Sequence, residues 1–122
     1  MIAERDRIVR QFANHIEGLI RHAITECNYH PAEFIRMKER HGVVEACRRV
    51  IMDHPVTRPP SGFMRMCEEG HLEWTAEAAV LQHPSCMLFD RAALERARER
   101  LLAFQYAGNV SCECLDLPVA NG

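Results

Sequence analysis

Apolar residues recur at helical spacing along most of the chain. Val9, Phe12, Ile16, Leu19 and Ala23 follow one another at three- and four-residue steps, and Ile8, Ile20, Ile24 and Cys27 widen the stripe. The pattern predicts a long amphipathic helix over about residues 2–27, with Arg5, Arg7, Arg10, Glu17 and Arg21 around its other side. NYHP interrupts it. Pro31 suits the first position of a second helix, Glu33 suits that helix's first turn, and Gly42 is a natural stop. Val43, Val44, Cys47, Val50 and Ile51 form the face of a third helix. DHPVTRPPSG, 53–62, has three prolines and a glycine and reads as a loop.

Beyond that loop the predicted elements are shorter. Phe63 to Glu69 makes a helix ended by Gly70. HLEW connects it to Thr75, a good N-cap for TAEAAVLQ, which Pro84 ends. Asp90 caps a strong last helix, RAALERARERLLAFQY, with Leu94, Ala97, Leu101 and Phe104 as its stripe and Gly108 closing it. The tail 109–122 has no helical period and is expected to be flexible. No alternating run with hairpin turns suggests a strand. The expectation is an all-α fold: one domain over 1–108, a bundle of about six helices, with long N- and C-terminal helices and short central ones.

Size and composition bound the function. At 122 residues and 48% hydrophobic, the chain can bury a core without disulfide or metal staples. A net charge of −2 offers no overall grip on nucleic acid. The balance is uneven: nine basic against seven acidic residues in 1–52, then six against ten. The start is charged, with no apolar run for a secretory signal or a membrane span, so a cytoplasmic protein with no membrane contact is expected. The six cysteines are then thiols.

Chemical motifs are few. Cys67 and His71 are four apart and His83 and Cys86 three apart, a loose zinc set, but Gly70 separates the first pair and no tight Cys-x2–4-Cys knuckle is present. No metal and no cofactor is expected. Phosphate-binding glycine loops, HExxH and GxSxG are absent, and no cysteine sits in a setting that lowers its pKa. Glu77 lies in a helical first turn, where the dipole accounts for it, so the expectation is a protein that is not an enzyme.

Helices 31–41 and 43–52 around Gly42 have the outline of a helix-turn-helix, but Lys38 and Arg48 occupy two packing positions. An ordinary helical hairpin fits better. Arg36, Arg40, Arg48 and Arg49 are its candidate binding residues, and Gly42, Gly70, Trp74 and Thr75 are the candidate structural ones. Four methionines in the middle of the chain, 37, 52, 64 and 66, suit an adaptable apolar surface.

HGVVEACRRVI, SGFMRMCEEGHLEWTAEAAVL and LFDRAALERARERL resemble a helical segment that recurs in uncharacterised bacterial proteins, over about residues 28–106. Met66 or Cys67 stands where that segment has an aromatic, and Trp74 where it has an aliphatic residue. The resemblance implies a binding or coupling module, in some settings linked to nucleases and defence. The resulting expectation is a small adaptor with a protein partner. A nucleic-acid-binding regulator using the arginine-rich hairpin is the alternative, and a phage- or plasmid-type inhibitor of a host system a third. The stripe on 8–27 can also pack against its copy in a homodimer.

Overall fold

A computed structural model describes residues 3–117, all helix, turn and connection. Among the described residues seven α-helices run α1 (Glu4–Cys27), α2 (Ala32–His41), α3 (Val43–Met52), α4 (Ser61–Glu69), α5 (Ala76–Val80), α6 (Arg91–Ala103) and α7 (Glu113–Asp116). Two 3-10 turns, Leu72–Trp74 and Ser85–Leu88, precede α5 and α6. The fold is all-α, and among the described residues there is no strand.

The stripe on α1 is the longest wall of the core. Ile8, Phe12, Ile16, Leu19 and Ile20 are buried in the core that α3 and the second 3-10 turn share, and Ala23 is buried against Met66 of α4. Short α5 lies at the centre, packed between α3 and α6. Its Ala78, Ala79 and Val80 are all buried, because a five-residue helix in that position meets neighbours on every side. Ile51, Cys47, Leu94 and Leu101 complete the core from α3 and α6. Burial of this kind contributes about 25 cal/mol per Å² of apolar surface.

Local signals set most of the boundaries. The Thr75 side chain accepts from Ala78 N–H at 3.2 Å and that of Asp90 from Ala93 N–H at 2.9 Å, each satisfying an orphan helix donor. Gly70 takes φ +77°. Its N–H returns to Cys67 O, and His71 N–H returns to Met66 O at 2.8 Å, so α4 closes by backbone bonds. Gly42 takes φ +88° between α2 and α3, a conformation that a side chain would strain.

Four boundaries differ from expectation, the first being α4, which starts at Ser61 and not at Phe63. Pro31 precedes α2 instead of starting it. The α5 helix stops at Val80, well before Pro84. The last long helix stops at Ala103, closed by Gln105 at φ +61°, with Tyr106 N–H on Leu101 O at 2.9 Å. Gly108 does not close it. A Cβ there would run into the Tyr106 ring, so glycine serves a close approach at that position.

The tail also departs from the expected boundary at 108. Cys112 and Leu115 are buried, and α7 packs on α6 and on the second 3-10 turn. Arg98 holds Asp116 through both carboxylate oxygens, at 2.7 and 2.9 Å. Four helical residues with one buried leucine carry no legible period, so docking was invisible in the pattern. The rest of the tail, 118–122, lies outside the described residues.

Candidate functional site

The arginine hairpin is built as the spacing predicts, but its charge is partly cancelled. Glu45 and Arg48 stand one turn apart on α3, and Glu45 and Arg49 four residues apart. Arg48 donates to Glu45 through Nε at 2.5 Å and Nη2 at 2.8 Å, and Arg49 Nε donates to Oε2 at 3.2 Å. These bonds hold the Glu45 carboxyl down to about 2, the Arg48 bond contributing most. Arg49 also meets His41 at 3.0 Å. Lys38 leans across to Glu17 of α1. Its helix-turn-helix packing position is thus taken by an ion pair between helices. Arg36 and Arg40 are exposed and make no side-chain hydrogen bond or ion pair among the described residues.

The loose zinc set is not brought together. The His71 ring stacks on Trp74 at 3.9 Å between centroids and bonds Glu73 at 2.9 Å. His83 pairs with Glu113 at 3.0 Å, and Cys86 faces Cys114. Among the described residues no group of three or more His, Cys, Asp or Glu is placed to hold a metal ion. Trp74 is half-buried, with His22 of α1 stacked on it at 4.7 Å. It joins the connection to α1, while Leu72 beside it is buried.

A cleft of about 480 Å³ opens between α1, α2 and α4, bordered by the start of α5. Ile16, Leu19, Ile20 and Ala23 of α1 form one wall. Phe34 and Met37 of α2 form the opposite one, and Phe63, Met66 and Trp74 close an end. The α2 wall is thinly held: none of its residues is buried. Its alternating charges leave only Phe34 and Ile35 to pack on the core, while Met37 faces the cleft.

Polar groups reach this cleft from beneath. Glu77 and His54 both border it. Glu77 is 2% exposed and receives Arg100 Nη1 at 2.6 Å, and Arg100 itself is 0% exposed. Arg100 Nη2 donates to the carbonyls of Ile51, His54 and Pro55 at 3.1, 2.7 and 3.2 Å. Arg96 donates to the same His54 carbonyl at 2.8 Å. One guanidinium therefore caps the end of α3, fixes the proline-rich loop and neutralises a carboxylate on α5. Burial pushes the Glu77 carboxyl up, and the Arg100 charge and hydrogen bond oppose that rise. His54 Nδ1 is buried and has no hydrogen-bond partner among the described residues.

Sequence reasoning attributed Glu77 to the helix dipole and passed over Arg100. The signal was present. Arg100 stands three residues after Ala97 and seven after Ala93, on the apolar stripe of α6, where a charge needs a partner. Which partner it finds depends on chain crossings that no local pattern encodes. No known protein family, no curated protein and no solved structure matches this chain.

Proposed function

We propose that this protein is a non-catalytic binding module that takes an apolar segment of a partner protein into the cleft beneath α2. The observation that carries this reading is the cleft itself. About 480 Å³ is room for several side chains of one amphipathic helix, and its walls are mainly aliphatic, aromatic and methionine. Met37 and Met66 can repack around differently shaped guests. The α2 wall can shift at small cost because it buries no residue of its own. Glu77 beneath the cleft is already matched by Arg100, which favours a supporting role over general acid–base work.

The test is native co-purification of the tagged protein beside a Met37→Glu variant. A stoichiometric protein partner is expected with the wild type and at least a tenfold loss with the variant, both chains giving the same helical circular dichroism. A wild type that purifies alone, or a variant that keeps the partner, sinks the reading. Exposed Arg36 and Arg40 keep nucleic acid as the second reading. It requires a salt-sensitive gel shift that Arg36→Glu with Arg40→Glu removes; no shift at low salt ends it.

A further inference from the structure

Three of the six cysteines meet at one place. Cys86 sits in the 3-10 turn Ser85–Leu88, Cys112 just before α7 and Cys114 within it. Cys86 Sγ lies 2.7 Å from Cys114 Sγ, less than an ångström longer than the ~2.05 Å of an S–S bond. Cys112 stands two residues before Cys114 and is buried in the same core as Cys86. No other sulfur pair makes a contact of this kind among the described residues.

The surrounding structure holds the two sulfurs in register. Leu115 is buried beneath α7, and Asp116 accepts from Arg98 and from Cys112 N–H. On the far side His83 pairs with Glu113. The turn carrying Cys86 and the helix carrying Cys114 are thus joined at both ends of the contact. Their exposures differ in a useful way: Cys86 is 0% exposed and Cys112 2%, while Cys114 is open to solvent. A soluble reagent can reach Cys114, and only an intramolecular partner can reach Cys86.

We propose that Cys86 and Cys114 are an oxidisable dithiol that closes to a reversible disulfide by exchange with a small disulfide such as oxidised glutathione. The Cys114 thiolate attacks one sulfur of the oxidant, forming a mixed disulfide and releasing one glutathione thiolate. The Cys86 thiolate then attacks Cys114 Sγ, forming the internal bond and releasing the second glutathione. Two protein thiols lose two protons and two electrons, and the oxidant's S–S bond accepts the electrons to become two thiols. Burial pushes the Cys86 thiol up, which lowers its thiolate fraction, but the sulfur is already positioned at its target. The bond would tie α7, across 28 residues of chain, to the turn before α6.

The full-length protein, incubated natively with oxidised glutathione, is acid-quenched, unfolded, alkylated and mapped without reduction. The expected product is a peptide pair linking Cys86 to Cys114, with the other four cysteines alkylated and the link lost in dithiothreitol. Cys86→Ser should trap Cys114 as its glutathione adduct, which shows that Cys86 resolves the intermediate. Should that buried substitution unfold the chain, the wild-type protein still decides: iodoacetamide should reduce the cross-link at least tenfold when added natively before the oxidant, by modifying Cys114 ahead of buried Cys27 and Cys47. Equal alkylation of Cys86, Cys114, Cys27 and Cys47 after oxidation overturns the proposal. So does a cross-link from Cys114 to any other cysteine or to a second chain.

Discussion

Two arginine–glutamate clusters in this molecule use the same chemistry to opposite ends. At the surface of α3, Glu45 takes Arg48 and Arg49 from its own helix, and the cluster reaches beyond α3 only through the Arg49 contact with His41 at the end of α2. In the interior, Glu77 and Arg100 come from α5 and α6, and Arg100 extends to carbonyls at the end of α3 and in the loop after it. The surface cluster is exchangeable with water and is worth little to stability. The interior one is buried, so each member depends on the other. The contrast teaches that charge count is a poor guide to function here. Two of four arginines in the expected binding face are occupied locally, and the arginine with the widest reach is invisible from outside.

The sharpest way to break this comparison is at Arg100. Arg100→Met leaves Glu77 buried beside no cation and removes the Arg100 donors from the Val50, Ile51, His54 and Pro55 carbonyls, of which His54 keeps Arg96. Unfolding stability in urea should fall by about 3–5 kcal/mol. A loss below about 1 kcal/mol would mean that the interior cluster is no more demanding than the surface one. A smaller effect is expected at the cap that presents Glu77. Thr75→Ala removes the acceptor for Ala78 N–H and should cost about 1 kcal/mol in the same measurement.

The smallest effect belongs to the surface cluster and is read by pH. The Glu45 carboxyl is held down to about 2 from 4.5. A depressed carboxyl adds stability that is complete above the unfolded value and is lost as pH falls towards the folded one. The contribution should therefore vanish between about pH 4.5 and about 2. Carboxyl carbon NMR should place the Glu45 titration at the low end of that window, and Arg48→Ala should move it upward. A Glu45 midpoint at 4.5 in the wild type would show the surface cluster to be absent in solution.

The helical elements were legible because their causes are local. The stripe on α1, Gly70, Thr75 and Asp90 each act within a turn or two, and each appears where periodicity and capping place it. The helix end at Gln105 was not legible, because glycine is favoured but not required in the left-handed conformation, and Gly108 drew the boundary outward. The candidate site was legible only in part. Arg36 and Arg40 lie on the surface, while the pairing of Arg48 and Arg49 with Glu45 follows from their three- and four-residue spacing on one helix.

The sequence by itself determined an all-α chain, the residues that face inward on its long helices and most of the caps, since 3.6-residue periodicity and capping are short-range. Only the tertiary structure decided that Glu77 meets Arg100, that α1, α2 and α4 leave a cleft between them, and that Cys86 meets Cys114. Each of those joins residues from separate elements, and what brings them together is the packing of apolar faces on one another. Apolar burial is non-directional: it requires that faces meet but leaves open which polar groups and thiols are carried into contact with them.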